Sequence, residues 1–427
     1  YYFNSAHATG APAGTLANPY KTLDAAGSVI TASAPGSGNK FRFLLAYGSD
    51  FSPNILARLA AADEQGDIEW GVYTDPTTPS TAEPIIRQMA QVSRTWEEVR
   101  ATGASSLNSA PAVKTLEPGS NVWRPTAGTH LGLFPDGTWK RQSNGRYNAT
   151  GTDQDYPDAT YPFTTILTGI FGTAVYATST PETFYSGQFY SRIYSGGGSN
   201  PDRFIHYDRP LGNITIKNIR FLYCDNPIYI ESGSTVRTNR IVIENNIFEN
   251  CYCGPRIVGS GSYLSPGGFG YVSISYNRLV NLCSNGIWFG SHAVANGSSR
   301  VAYNIIRGTN IGSAAGGGIY IRGRTTDGTK ITVEWNHVDR SENGASMDWP
   351  TDGIGIYSEE NSRDIVIRYN LITRCHRGIM VNTHQGNSQI YGNFFDLAGY
   401  QSYQASDVAD AIWINDADYD IDNTESG

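Results

Sequence analysis

From residue 206 onward, apolar residues fall on alternate positions in short runs, and the runs come in pairs. The first member of each pair ends in asparagine followed by an apolar residue: "IVIENNIF", "VSISYNRL", "RVAYNII", "TVEWNHV", "IVIRYNLI" and "QIYGNFF". The second member follows a loop: "PIYIES", "NGIWFGS", "GGIYIRG", "DGIGIYS", "RGIMVNT" and "DAIWIND". Alternation with period two predicts β-strands, and no helical periodicity of useful length competes with it in this half. The shared asparagines are Asn246, Asn277, Asn304, Asn336, Asn370 and Asn393, at intervals of 31, 27, 32, 34 and 23 residues. Restatement at 20–35 residues with variable loops is the mark of a solenoid.

The simplest geometry makes each repeat one coil, with neighbouring coils about 4.8 Å apart. Inward residues then fall into columns, Ile214/Ile241/Val272/Ile331/Ile365 and Ile228/Ile287/Ile319/Ile354/Ile379/Ile412. The asparagines are expected to stack at one corner, each amide bonding the next and the turn backbone. Cys224, Cys251 and Cys375 each follow an apolar residue by three positions, which predicts a further column of buried free thiols.

These features resemble the right-handed, single-stranded parallel β-helix proteins of the pectate-lyase-like superfamily, which include carbohydrate-active enzymes and viral tailspikes. "YYFNSAHATGAPAGTLANPYKTLDAA" resembles their opening segment, which implies a short N-terminal capping helix over the first coil. The expected organisation is a cap and first coils at 1–90, an inserted β-rich subdomain at 91–205, and the main β-helix at 206–427 with an acidic tail.

Composition narrows the partners. Net charge is -8, and no run of Lys or Arg exceeds two residues, which disfavours nucleic acid and anionic membrane surfaces. No apolar stretch approaches the roughly 18 residues that span a bilayer. The chain opens on Tyr1 without a signal segment, which reads as a mature or trimmed form. Of 31 basic residues only six are Lys, so positive charge sits mainly on forked guanidinium groups suited to carboxylates and hydroxyl-rich ligands. Cysteine spacing suggests no metal site, and the acidic tail lacks the glycine and glutamate of a calcium loop. The resemblance leaves a structural or catalytic Ca²⁺ open; no other cofactor is implied.

Loop lengths locate a candidate site. Counted from the apolar residue after the asparagine phrase to the small residue opening the next strand, the turn from Ile372 to Gly378 is 6 residues. Its neighbours, Val338 to Gly353 and Phe395 to Ala411, are 15 and 16. Two tall loops flanking a short turn predict a notch floored by Cys375, His376 and Arg377. Its walls would carry Asp348, Trp349, Tyr400 and Tyr403. Concave sites with converging polar groups are where ligands bind.

Asp352, His376-Arg377 and Asp410 open three successive strands at this notch. "TDGI" resembles the polygalacturonase motif whose aspartate is catalytic, but His376-Arg377 replaces that family's double aspartate and Ala409-Asp410-Ala411 its Gly-His-Gly. Two coils separate Asp352 from Asp410, about 9–10 Å of backbone. Their carboxyls could therefore fall in the roughly 6.5–9.5 Å window of inverting glycosidases, with Arg377 and His376 tuning one of them. Outward positions on the same strands hold Tyr229, Trp288, Tyr320, Met380 and Trp413, with Arg322, Tyr357, Asn382 and Asn415 two residues further on. The reading is an exposed aromatic row for sugar rings, edged by hydrogen-bonding groups.

The preferred expectation is thus an extracellular inverting glycoside hydrolase acting on a poly- or oligosaccharide. A polysaccharide lyase using Arg377, His376 or Tyr357 as base is one alternative. A non-catalytic glycan-binding adhesin or viral spike is another. Because trimeric spikes share the architecture, self-association stays open.

Overall fold

The computed structural model describes residues 1–7, 13–26, 40–51, 66–87, 203–207, 212–222, 224, 226–232, 237–259, 268–282, 284–295, 298–309, 316–325, 328–341, 353–359, 362–382, 386–399 and 409–415, together with the backbone of strands between 90 and 187. Each coil contributes one strand to each of three parallel faces. Sheet I runs from Arg203–Tyr207 through Asn226–Ser232, Arg256–Gly259, Ile287–Ala295, Gly317–Arg324, Ile354–Ser358 and Arg377–Asn382 to Asp410–Asn415. Sheet II carries the strands before the asparagines, from Asp67–Tyr73 and Asn213–Lys217 to Ile365–Arg368 and Gln389–Tyr391. Sheet III carries the strands after them, from Ile85–Arg87 and Arg220–Leu222 to Leu371–Thr373 and Phe394–Asp396. All these pairings are parallel, so the chain is a parallel β-helix. Apolar side chains from the three faces fill one continuous interior.

The asparagine corner forms as expected. Asn246 Nδ2 donates to Asn277 Oδ1 (3.2 Å), Asn277 to Asn304 (3.0 Å), Asn304 to Asn336 (2.9 Å), Asn336 to Asn370 (3.0 Å) and Asn370 to Asn393 (2.9 Å). From Asn277 onward each Oδ1 also accepts the backbone N–H of the asparagine before it, as Asn336 Oδ1 does from Asn304 at 3.0 Å, and Asn246 Oδ1 accepts the Ile219 N–H at 3.1 Å. Each Nδ2 also reaches a sheet II carbonyl one coil back, such as Asn336 to Val301 at 2.9 Å. Asn246 through Asn370 are buried, so these bonds satisfy groups that water cannot reach.

The residue before each ladder asparagine, and Asn218 before Ile219 one coil earlier, has a left-handed backbone. Asn218, Asn245 and Gly392 tolerate this readily, but Tyr276, Tyr303, Trp335 and Tyr369 also adopt it, with φ of 56–58°. Their rings stand half-exposed in file. Tyr276 and Tyr303 stack at 4.9 Å, and Trp335 and Tyr369 at 4.8 Å. Parallel offset stacking at coil spacing offsets part of the backbone cost.

The thiol column also holds. Cys224, Cys251 and Cys375 are buried and free, and burial pushes the Cys375 thiol up to about 12. Leu282, Thr309 and Ser341 occupy the same level between them, with Thr309 Oγ1 3.2 Å from Ser341 Oγ. Cys283 lies outside the described residues.

One inward column differs by two residues from its expected register. Ile319 pairs with Ile356 and Ile356 with Ile379, so Ile356 rather than Ile354 faces the core. The sequence offers two tandem Gly-Ile steps here, Gly353-Ile354-Gly355-Ile356, and sterics choose between them. Gly286, Gly318, Gly355 and Gly378 line up at one level, where a Cβ on Gly355 would lie 2.7 Å from the Gly378 carbonyl oxygen. Only a glycine fits that approach. Ile354 instead packs outside the coil with Tyr320, Tyr357 and Met380.

At the N-terminus, Asp24–Ala26 forms a single 3₁₀ turn, with Thr22 Oγ1 accepting the Ala25 N–H (3.0 Å). The rest of the expected capping helix falls outside the described residues. Strands between Ala90 and Gly187 pair in a five-stranded and a three-stranded sheet, largely antiparallel and separate from the solenoid sheets. Across this stretch the solenoid is continuous: Ile68 pairs with Ile214 and Ile86 with Phe221. The strand Arg203–Tyr207 already belongs to sheet I, a few residues ahead of the expected boundary.

Candidate functional site

The outer face of sheet I gathers most of the described site residues, and strand register decides which of them meet. Arg377 pairs with Asp410 on one side and Ile354 on the other. The residue level with Arg377 on the preceding coil is therefore Ile354, where the spacing had suggested Asp352. Asp352 itself lies outside the described residues, as do Asp348, Trp349, Tyr400 and Tyr403.

Arg377 is largely buried. Its Nε lies 3.8 Å from Asp410 Oδ2, and its guanidinium carbon sits 3.9 Å from the centre of the Trp413 ring. Asp410 is 43% exposed at its side chain, so the ion pair contributes little stability; its effect is to orient the carboxylate beside an indole. The cation–π contact fixes the guanidinium plane. His376 is buried beside it. Its backbone N–H donates to the Gly353 carbonyl (2.9 Å), and its own carbonyl accepts the Asp410 N–H (3.1 Å). Cys375, expected on the notch floor, points into the core.

The outward row is Tyr229, Arg256, Trp288, Tyr320, Tyr357, Met380 and Trp413. It is packed rather than open, contrary to expectation: Tyr229, Tyr320, Tyr357 and Met380 are buried, and Arg256, Trp288 and Trp413 are only partly accessible. Contacts along the row explain this. The Arg256 guanidinium lies 4.2 Å from the Trp288 ring centre, Trp288 lies 4.5 Å from Tyr320, and Tyr320 meets Tyr357 edge-on at 5.5 Å. The Gly355 register also places Tyr357 in this row and not beside Arg322 and Asn382.

Two residues further along the strands, the next outward row is Arg322, Glu359 and Asn382, following from the pairs Ile321–Ser358 and Ser358–Val381. Glu359 reads as a solvated turn residue in sequence; here it is half-buried. Its carboxylate accepts hydrogen bonds from the Tyr320 hydroxyl and from the Tyr357 hydroxyl (3.1 Å). Asn382 Nδ2 donates to the Tyr357 oxygen at 3.2 Å. The missed signal was the doubled Gly-Ile step, which hid Glu359 from alignment with Arg322 and Asn382.

Among the described residues no group of three His, Cys, Asp or Glu side chains is placed to hold a metal.

No protein-family model matches the chain, and no curated protein matches it in sequence. In structure it is similar to the complex structure of XylC with xylose, at 12% identity and a TM-score of 0.44 over 92% of this chain and 68% of that one. It is also similar to a structure described as a glycoside hydrolase, at 9% identity and a TM-score of 0.32 over 93% and 96% of the two chains. At these identities no residue role is carried across.

Proposed function

We propose that the chain is an extracellular glycoside hydrolase that cleaves a polysaccharide lying against the outer face of sheet I, by inversion with two carboxylates. The observation that carries this reading is the meeting of Asp410, Arg377 and Trp413. An accessible carboxylate is oriented by a buried guanidinium, and a partly accessible indole stands beside it. Such a grouping offers a sugar an apolar ring face and an acid–base group at one point. Asp352, two residues ahead of Ile354 in the chain, is assigned as the second carboxylate. One of the pair protonates the leaving oxygen, while the other takes a proton from the attacking water on the opposite face of the sugar. Arg377 holds the Asp410 carboxylate in place beside the Trp413 ring.

The test is incubation of the full chain with bacterial, algal and plant glycans, reading new reducing ends and the ultraviolet absorbance of unsaturated products. Reducing ends without that absorbance support hydrolysis, whereas both together indicate elimination. Binding without either indicates an adhesin. On the glycan that is cleaved, Asp410→Asn and Asp352→Asn should each lower kcat by about 10²–10⁴-fold, the range for loss of a general acid or base. A fully active Asp410→Asn enzyme would remove the site assignment.

A further inference from the structure

Glu359 is separate from the Asp410 centre. It lies two coils away and five residues along the strand from the level of Asp410, roughly 19 Å backbone to backbone. That is well beyond the roughly 6.5–9.5 Å of an inverting pair, so the two carboxylates cannot serve one bond cleavage. We infer that Glu359, Arg322 and Asn382 form a second sugar subsite on sheet I, which takes a neutral, hydroxyl-bearing ring of the same chain; this rests on the hydrolase reading above.

Three observations carry the inference. First, Glu359 is held from two adjacent coils by the hydroxyls of Tyr320 and Tyr357, both nearly inaccessible. Asn382 Nδ2 can only donate, so it occupies an acceptor position of the Tyr357 oxygen and leaves the phenol proton directed at Glu359. Second, the Glu359 backbone is fixed at both ends, its N–H on the Ile321 carbonyl (2.9 Å) and its carbonyl on the Ser362 N–H (3.1 Å). Supporting residues that fix both the plane and the position of a partly accessible carboxylate are what a preorganised binding group requires. Third, Arg322, Glu359 and Asn382 occupy consecutive coils of one row, about 4.8 Å apart, giving donor, acceptor and mixed groups in sequence. Neighbouring hydroxyls of a neutral ring match that order. Carboxylate oxygens each accept more than one hydrogen bond, so a phenol on each does not close them to a sugar. A uronate carboxylate at the Glu359 level would meet like charge. The partly accessible Trp288 and Trp413 flank the buried Tyr320, Tyr357 and Met380 in the row beside this line.

The test uses the full chain and oligosaccharides of increasing length from the best-bound members of a panel of neutral and uronate glycans. Glu359→Gln keeps shape and removes charge. It should raise KM for long neutral oligomers about tenfold, the size of one hydrogen bond to a charged group, while kcat stays within about twofold. Short oligomers that reach only the Asp410 centre should not respond. If Glu359→Gln binds long oligomers like the wild type, or if uronate glycans are preferred at this level, the subsite is rejected while the hydrolase reading stands. If the wild-type chain engages no glycan, both fail together. Should Glu359→Gln lose its near-ultraviolet circular dichroism, Tyr320→Phe decides: weaker binding of long oligomers supports the subsite, and unchanged binding overturns it.

Discussion

Replacing Asn336 by alanine isolates what the amide ladder contributes. Asn336 is 1% exposed and sits mid-ladder, with asparagines on both sides. Its Oδ1 accepts the Asn304 backbone N–H at 3.0 Å and Asn304 Nδ2 at 2.9 Å, and its Nδ2 donates to the Val301 carbonyl at 2.9 Å and to Asn370 Oδ1 at 3.0 Å. Alanine removes all four bonds. Asn304 Nδ2 keeps its bond to Ile274 O, and Asn370 Oδ1 keeps the Asn336 backbone N–H. The Asn304 N–H is left unpaired in a site closed to water, while the Val301 carbonyl keeps its place in the strand ladder with Val333. One orphan at about 1–3 kcal/mol, the lost bonds at Val301 and Asn304 Nδ2 at about 0.5–1 each and a small cavity give a local loss of roughly 3–5 kcal/mol. Hydrogen exchange with mass spectrometry reads this directly, because the orphan is itself an exchangeable amide. Exchange at Asn304 should accelerate by roughly 10²–10⁴-fold, since each 1.4 kcal/mol is a factor of ten. Asn393→Ala, at the partly exposed last position of the ladder, should cost less. Equal effects at both positions, or an acceleration below about tenfold at Asn304, would show that the stacked strands hold the corner without the amides.

Two further outcomes follow from the same packing. Gly355→Ala would place a Cβ 2.7 Å from the Gly378 carbonyl and 2.6 Å from Ile372 Cγ2, and should destabilise by about 1–3 kcal/mol in denaturant titration; a loss under about 0.5 kcal/mol would return the register to Gly353-Ile354. Burial alone would raise the Asp339 carboxyl, but hydrogen bonds from Arg374 and Thr373 and the Arg374 charge outweigh it and hold it below the usual carboxylate range. A depressed folded value means its stabilisation is complete above the unfolded value of about 4 and is lost as pH falls below that. Asp339→Asn should therefore flatten the acid limb of the stability curve between pH about 4 and 2, and an unchanged limb would refute the assignment.

Much of this architecture was readable because a solenoid repeats its requirements. Every coil needs an amide at the same corner, so Asn246 through Asn393 declared the fold, and the thiol column followed from a fixed offset. Register failed where two solutions were locally equal. Gly353-Ile354 and Gly355-Ile356 are alike in composition, and only the approach of the Gly378 carbonyl, a contact between coils, separates them. Exposure failed for a related reason. Alternation places Tyr320 and Tyr357 outside, but it does not reveal that neighbours one coil away cover them. Conversely, "YN", "YN", "WN" and "YN" at Tyr276, Tyr303, Trp335 and Tyr369 spelled out the aromatic corner, which strand alternation alone does not explain.

The pairing of Ile68 with Ile214 and of Ile86 with Phe221 has a wider meaning. A spine whose alignment is set between adjacent turns is indifferent to how much polypeptide departs and returns between them. Lengthening such a detour tenfold adds only about 2 kcal/mol of closure entropy. New recognition surfaces can therefore be grafted onto this molecule at its turns, and its choice of ligand rewritten, while the spine beneath keeps its alignment.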